Sequence, residues 1–448
     1  MINGYLYKWA LLLGLLLGQV AALFAQDANL ARAERAYRLF VAEQGDSLHA
    51  MLTRELQEKL SPEVFKGTLR QAERQVGKLQ SHSEWKKESA QGITIYYCNV
   101  QFERYTLRFV TSFDVDGGMN TIRLIPAPVL STTAPVQYDK EKMSERDITV
   151  GVPGFSLPGT LTLPRGQKQY PVVILVHGSG AHDRDETLGP NKPFRDLAWG
   201  LAEQGIATIR YEKRTKVYGA TLPEGRELDY DTEAVDDVLS AIALAKSLPE
   251  IAADSIYVVG HSLGAIVAPR IAERAQTGSL AGIVLIAGTP RPLEDLVVEQ
   301  STYLASLTDA SEATRAQLDQ LKREAENTKK LGTPAFNDSI PLLLGQPSSY
   351  WLFINRYQPL ETAKKLTLPI LILQGERDYQ VTMQDFGLWR FGLLRNKNVV
   401  LKSYPKLNHL LQEGTGMSTP FEYNQASPVS GQVITDIATF IRTGQVAD

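Results

Sequence analysis

Ile256-Tyr-Val-Val-Gly-His-Ser-Leu-Gly-Ala265 is the stretch of this 448-residue chain that says most about its fold. Four apolar or aromatic residues end at Gly260-His-Ser-Leu-Gly264, and a mostly apolar run from Ala265 to Ala272 follows. The pattern predicts a strand, a sharp turn and a helix. Small residues on both sides allow a serine to adopt the strained backbone that such a turn requires. Because the turn holds its hydroxyl at a helix N-terminus, which favours developing negative charge, we predict Ser262 as a nucleophile.

A serine nucleophile needs a histidine as general base and an acid that orients the histidine. Of the six histidines, His409 is the only one that follows the predicted turn. The acid should stand at the end of the preceding strand, where the run Leu371–Asp378 supplies one. We therefore predict His409 as the base and Asp378 as the acid. Glu376 is the second candidate for the acid and Asp385 the third.

The tetrahedral intermediate of acyl transfer needs hydrogen-bond donors for its oxyanion. Leu263 follows the nucleophile, so its backbone N–H should be one donor. The loop His177-Gly-Ser-Gly180 follows the first long strand, and its glycines let the backbone approach the oxyanion closely. We predict the N–H of Ser179 as the second donor, with that of Gly180 as the alternative. His177 should have a structural role within the loop.

The charged residues Asp183 to Glu186 follow this loop. Their carboxylates alone do not define the histidine–carboxylate arrangement of a metal site. We expect salt bridges with Lys213 or Arg214 to hold the loop, and contacts with substrate at the rim of the site are the alternative.

Composition and charge limit the class of protein. The 43% hydrophobic and 22% charged residues are ordinary for a folded soluble protein, and the length suffices for two domains. The formal net charge of −3 and the lack of a long Lys/Arg block argue against nucleic-acid binding. The single cysteine, Cys98, excludes an intrachain disulfide, and its apolar surroundings indicate a buried side chain rather than a catalytic thiol.

Residues 1–25 have the pattern of a secretory signal peptide. Lys8 supplies a positive charge, Ala10 to Phe24 is mostly apolar, and Ala25-Gln26 is a candidate cleavage junction. The apolar run is shorter than the roughly 20 residues of a membrane span, so we favour cleavage over a retained anchor. We therefore expect an exported protein, periplasmic or extracellular, whose mature form lacks a membrane span.

The rest of the chain divides into two predicted domains. Residues 27–126 show helical spacing followed by three strands, which indicates a small α+β domain. A Pro/Ser/Thr-rich stretch within residues 127–145 indicates a linker. From 146 to 448, helices alternate with continuous Val/Ile/Leu strands, as in a parallel sheet that is buried on both faces.

A mostly helical insertion at residues 290–366 interrupts this alternation and predicts a cap that shapes the substrate cleft. Tyr350, Trp351, Phe353 and Tyr357 cluster in the insertion. We expect these rings mainly to pack the cap onto the body of the domain rather than to form an acyl pocket.

The longer motifs resemble those of bacterial exported α/β-hydrolases of the esterase and serine-aminopeptidase-like group. The order of nucleophile, acid and histidine along the chain is that of α/β-hydrolases and differs from the orders of chymotrypsin and subtilisin. The resemblance implies an α/β-hydrolase fold with a helical cap for residues 146–448. Four runs carry it: His177–Thr187, Gly189–Phe194, Arg210–Thr215 and Gly260–Gly264.

Residues 30–126 resemble a small domain of unknown function that is often found before such hydrolases. The resemblance implies an α+β fold similar in shape to cystatin-like or NTF2-like domains. It implies no activity for this part of the chain.

We predict a serine hydrolase that cleaves carboxylic esters, with short-chain acyl groups as the expected substrates because no large apolar surface for lipid is evident. Neither a cofactor nor a metal is needed. The alternative is a serine peptidase or aminopeptidase, which would need an anchor for a free amine, and Glu294, Asp295 and Glu299 in the insertion are candidates. A third reading is a catalytically weak binding protein whose N-terminal domain recruits a glycan or protein.

Overall fold

The computed structural model describes residues 28–446 except 91–92, 104, 128–137, 167–168, 220, 223 and 308–311. The predicted signal peptide and most of the predicted linker lie outside the described residues. The described residues fall into two compact units. The first ends at Ala127, and the second comprises the residues from Tyr138 onward apart from Leu307.

The first unit consists of helices followed by an antiparallel sheet, which confirms the predicted small α+β domain. The strands pair in the order β1-β3-β4-β5, and β2 also pairs with β3. The helices are α1 (Ala28–Val41), α2 (Gly45–His49), α3 (Arg54–Lys59) and α4 (Thr68–Val76). The strands are β1 (Leu79–His82), β2 (Lys86–Ala90), β3 (Ile93–Phe102), β4 (Thr106–Phe113) and β5 (Met119–Pro126).

The core of this unit lies between α1 and the sheet. The ring centroids of Tyr37 and Phe40 on α1 lie 5.4 Å and 5.3 Å from that of Phe109 on β4. Cys98 on β3 is fully buried, and burial raises the pKa of its thiol to about 12. The expectation that Cys98 packs as a small apolar side chain is confirmed.

The second unit contains an eight-stranded sheet in the order β13-β12-β11-β10-β8-β9-β7-β6. The strands from β8 to β13 are parallel, whereas β6 and β7 form an antiparallel hairpin at one edge. This hairpin starts at Met143, three residues before the predicted domain start, because its pairing extends back to Met143 and Pro164. The strands are β6 (Met143–Val150), β7 (Leu157–Pro164), β8 (Tyr170–Val176), β9 (Ala207–Tyr211), β10 (Ile251–His261), β11 (Gly282–Ile286), β12 (Ile370–Gly375) and β13 (Val399–Tyr404).

Helices cover both faces of this sheet. Val172 and Ile174 of β8 pack in one apolar core, whereas Val173 and Leu175 pack in the other, as the pleat of a strand requires. Burial of the sheet on both faces therefore explains the continuous apolar strands, as predicted. The helices are α5 (Pro193–Glu203), α6 (Arg214–Tyr218), α7 (Asp236–Ser247), α8 (Leu263–Arg274), α9 (Leu293–Ser306), α10 (Glu312–Thr328), α11 (Ser348–Arg356), α12 (Pro359–Lys365), α13 (Met383–Gly392) and α14 (Gly431–Thr443).

The insertion between β11 and β12 carries α9 to α12, in agreement with the predicted helical cap. In the part of the chain that the structure describes, none of the helices combines the length and the apolar character that crossing a membrane would take.

The predicted strand–turn–helix is present, with Ser262 between β10 and α8. A Cβ atom on Gly260 would lie 2.2 Å from the carbonyl oxygen of Gly264, and one on Gly264 would lie 2.1 Å from that of Val176. Glycine is therefore required at both places, because the first turn of α8 packs directly on the strands.

Candidate active site

The acid and the base predicted from the sequence lie against each other. His409 Nδ1 is 2.7 Å from Asp378 Oδ2, and both side chains are buried. The other oxygen of Asp378 accepts hydrogen bonds from the backbone N–H groups of Gln380 (2.7 Å) and Val381 (3.1 Å). These bonds hold the carboxylate where it favours a proton on Nδ1, which leaves Nε2 as the basic nitrogen of His409.

The predicted nucleophile and the predicted base lie beside the same cavity. Ser262 and His409 both line one cavity of about 650 Å³. Ser262 has φ 54° and ψ −116°, and α8 begins at the next residue. The positive end of the helix dipole therefore acts at the serine. Ser262 and His409 thus line the same cavity, and Asp378 contacts His409.

The two other candidate acids have different contacts. Glu376 is exposed and accepts a hydrogen bond from the hydroxyl of Ser403 at 2.8 Å. Asp385 is buried at the start of α13, where it closes a capping box with Thr382 and pairs with Arg291 at 2.7 Å. Asp378 is thus the candidate acid that contacts His409.

Both residues predicted to supply oxyanion donors line the cavity beside Ser262. Leu263 is the first residue of α8, and Ser179 and Gly180 belong to the loop after β8. A Cβ on Gly178 would lie 3.1 Å from the Cβ of Ser262, so the loop backbone passes directly beside this serine.

His177 is the structural residue that the sequence predicted. Its Nε2 donates to the carbonyl oxygen of Asp183 at 3.0 Å, within the same loop. Burial lowers the pKa of His177 to about 3, so the ring is neutral at physiological pH. The ring holds the loop closed and adds no charge to the site.

Two buried side chains hold the backbone of Gly178 from opposite sides. Its N–H donates to Glu186 Oε1 at 2.6 Å, and its carbonyl oxygen accepts from Lys213 Nζ at 2.7 Å. The Gly178 carbonyl and the Ser179 N–H belong to one trans peptide unit, so they point in opposite directions. The ammonium of Lys213 therefore determines where the Ser179 N–H points.

Lys213 also connects this loop to the cap. Its Nζ donates to Glu233 Oε1 at 2.6 Å, and Tyr350 on α11 donates its hydroxyl to Glu233 Oε2 at 3.2 Å. All three side chains are buried. A continuous set of charged and hydrogen-bonded contacts thus runs from the cap helix to the peptide of Gly178.

Comparison with known proteins decides the family. Residues 173–422 match the model of the alpha/beta hydrolase family. The chain belongs to the alpha/beta hydrolase family. A curated relative, Esterase EstD of Thermotoga maritima, is 38% identical over 349 residues, which are 78% of this chain and 79% of the relative. The family match confirms the fold predicted for the larger domain.

The N-terminal residues 33–121 match a family described as a protein of unknown function, DUF3887. Among solved structures, the chain is similar to Est1E from Butyrivibrio proteoclasticus, with a TM-score of 0.42 and 18% identity over 66% of this chain and 97% of that one. It is also similar to the Pyrobaculum calidifontis esterase, with a TM-score of 0.43 and 17% identity over 68% and 87% of the two chains.

A buried ion pair that the sequence analysis missed contacts the backbone of His409 in this alpha/beta hydrolase. His261 Nδ1 lies 2.9 Å from Glu186 Oε2, and its Nε2 lies 2.9 Å from the carbonyl oxygen of His409. Both neighbours are acceptors, so a ring that is protonated on both nitrogens satisfies them. The pair joins the Gly178 loop, the turn at Ser262 and the backbone of His409.

The pKa values of the two partners agree with an ion pair. Burial works against ionisation of Glu186, but the charge and the hydrogen bond of His261 lower its pKa to about 2. Burial likewise works against a charged His261, but the Glu186 carboxylate raises its pKa above the ordinary 6.5. Nothing in the spacing of these two residues along the chain indicates that they meet.

The salt bridges predicted for Asp183 to Glu186 are present, but the predicted partners were wrong. Lys213 and Arg214 point into the domain and pair with the buried carboxylates of Glu233 and Asp237. Because these partners lie on the helical segment before β10, the two cations form ion pairs there and not with the carboxylates of Asp183 to Glu186. The loop pairs instead with Glu212, Lys192, Arg210 and His261.

The aromatic cluster of the cap packs on the body of the domain, as predicted. The rings of Tyr350, Phe353 and Tyr357 contact Tyr230, with centroids 5.5 to 6.4 Å apart. Tyr350 and Trp351 also line the cavity beside Ser262. These two residues therefore both pack the cap and line the candidate active site.

Replacement of Glu186 by Gln should destabilise the protein in a pH-dependent way. Removing one partner of a buried ion pair costs about 3 kcal/mol or more of unfolding free energy. The lowered pKa of Glu186 adds stability above its ordinary value of 4.5, which is lost as the pH falls toward 2. The raised pKa of His261 adds stability below its ordinary value of 6.5, which is lost as the ring deprotonates at higher pH.

The difference in unfolding free energy between wild type and Glu186→Gln should therefore be largest between pH 4.5 and 6.5. Denaturant titrations across the pH range check this. Glu376→Gln, which changes an exposed carboxylate, serves as the matched control and should show no such maximum. A difference that is independent of pH would rule out the ion pair.

Proposed function

We propose that this chain is a serine hydrolase that cleaves carboxylic esters with short acyl groups. Ser262 is the nucleophile, His409 the general base, and Asp378 the acid that orients it. The observation that carries the proposal is the 2.7 Å contact between His409 and Asp378 beside the strained turn of Ser262. The name of the Thermotoga maritima relative, Esterase EstD, supports an ester as the bond that is cleaved.

In the acylation step, the Ser262 hydroxyl attacks the carbonyl carbon of the ester and His409 Nε2 takes its proton. The backbone N–H groups of Leu263 and Ser179 receive the negative charge of the tetrahedral oxygen. Collapse of the intermediate breaks the bond to the alcohol, which leaves with the proton from His409. Water then repeats the sequence on the acyl-enzyme and releases the carboxylic acid.

The lining of the cavity supports a small ester. Its volume of about 650 Å³ lies in the range of small-molecule sites. Leu228, Ile266, Leu296 and Val297 provide apolar walls that suit an acyl chain. Lys213 contributes by orienting the Ser179 N–H and does not itself face the substrate.

The contacts of the acidic residues favour an ester over a substrate with a free amine at this site. Among the described residues that line the cavity, the acids are Glu186 and Glu233, and each is paired with a buried cation. Of the anchors considered from the sequence, Asp295 pairs with Lys329 and Glu299 with Arg291. Glu294 has no ion-pair partner in the described part of the chain, but it lines a neighbouring cavity and not the one that contains Ser262. An aminopeptidase would need an unpaired carboxylate next to the scissile bond.

Replacement of Ser262 by Ala should abolish ester hydrolysis. We expect the wild type to hydrolyse a short-acyl nitrophenyl ester and the variant to lose roughly a thousandfold or more in kcat/KM. Ser247→Ala, an exposed serine on α7, is the matched control and should retain full activity. Equal activity of wild type and Ser262→Ala would refute the proposed nucleophile. Ser262-dependent cleavage of an aminoacyl anilide but not of the ester would favour the peptidase alternative.

Replacement of Lys213 by Met should lower kcat with little change in KM. Without the ammonium, the Gly178–Ser179 peptide is free to rotate, and loss of one oxyanion donor costs about a hundredfold or more. Affinity for a boronic acid, which mimics the tetrahedral state, should fall more than affinity for substrate.

Glu233→Gln is the matched control for Lys213→Met. It removes the same ion pair but leaves the bond from Lys213 to the Gly178 carbonyl. We expect it to keep most of the wild-type kcat. An equal loss of kcat in both variants would mean that Lys213 acts through stability alone.

We also propose that the protein is bacterial and exported, on the basis of the signal-like pattern of residues 1–25. Expression of the full chain in a bacterium should yield a secreted or periplasmic form that starts at Gln26. The mass of the protein in the separated cell fractions checks this. An uncleaved chain that remains in the cytoplasm would contradict it.

A further inference from the structure

A second cavity lies next to the proposed ester site. It has a volume of about 250 Å³ and is lined by residues of α8, the start of α9 and the end of α11. Ile266 and Leu293 line both cavities, so they form a shared wall. The volume exceeds that of a single water many times, so a small organic molecule can fit.

This cavity contains a buried carboxyl group without a partner. Glu294 is 0% exposed and lines the cavity, and neither of its carboxyl oxygens has a hydrogen-bond partner. Burial raises the pKa of Glu294. Unpartnered buried carboxyl oxygens are rare in folded proteins and require an explanation.

The basic residues of the cavity are already neutralised by other acids. Lys329 Nζ lies 2.5 Å from Asp295 and 3.0 Å from Glu326. Arg291 pairs with Asp385 at 2.7 Å and with Glu299 at 2.7 Å. The group that lacks a counter-charge is therefore the acid, and the complementary ligand is a cation with N–H donors.

The rest of the lining favours an organic ammonium ion over a metal ion. Tyr230 and Tyr357 contribute aromatic rings, which attract organic cations, and Ile266 offers apolar contact to an alkyl chain. Within the described residues, no three His, Cys, Asp or Glu side chains are grouped so as to hold a metal ion.

We propose that this cavity binds a small molecule with a primary ammonium group, whose N–H groups donate to the carboxylate of Glu294. The site is separate from the ester cavity and needs no turnover at Ser262. Bound there, the ligand contacts Ile266 in the first turns of the helix that follows the nucleophile.

Binding of propylammonium to the Ser262→Ala protein tests the proposal, with propan-1-ol as a neutral ligand of similar size. Because this variant has no proposed nucleophile, the result is independent of the proposed function. We expect ligand-detected NMR to show binding of propylammonium but not of propan-1-ol. Adding Glu294→Gln should weaken the binding at least about tenfold, the loss expected for a charge-assisted hydrogen bond.

Glu326→Gln is the matched control, because it removes an exposed carboxylate beside Lys329 that does not line the cavity. It should leave the affinity unchanged. Glu294→Gln should melt at the same temperature as its parent or higher, because a neutral amide replaces an unpartnered acid. If Glu294→Gln does not fold, Glu294→Met takes its place. Equal binding with and without Glu294, equal binding of propan-1-ol, or no binding of propylammonium would overturn the proposal.

Discussion

The positive φ of Ser262 is the constraint on which the rest of the site depends. A serine held at φ 54° requires the neighbouring backbone to approach closely, and Gly260 and Gly264 permit that approach. Once the first turn of α8 packs on β8 and β10, the loop after β8 passes beside the serine. The positions of the proposed base and of the proposed oxyanion donors follow from this packing.

Buried charged side chains then orient the backbone of the Gly178 loop and of His409, which packing alone does not determine. Lys213 and Glu186 hold the two sides of one glycine, Gly178. The contacts of Glu186 extend through His261 to the backbone of His409. Those of Lys213 extend through Glu233 to the cap. Such pairs are costly to bury, so their value here is the orientation that they impose on the backbone and not a large gain in stability.

Features that depend on short sequence patterns were predicted correctly. Contacts between side chains that are far apart along the chain were missed. The turn at Ser262, the alternating strands and the order of Ser262, Asp378 and His409 all follow from short motifs placed on elements. The partners of Lys213 and His261 lie 20 and 75 positions away along the chain, and their side chains meet only when the helices and loops have packed. The salt-bridge partners of the Asp183–Glu186 loop were predicted wrongly for the same reason, because they too depend on how the chain packs.

We propose that Ser262 carries the acyl group during the reaction. Mass spectrometry of the protein treated with a fluorophosphonate, which traps activated serines, tests this role. We expect one adduct, on the peptide that contains Ser262, and none when the protein is unfolded before treatment. An adduct on another residue, or steady ester turnover after complete labelling of Ser262, would contradict it.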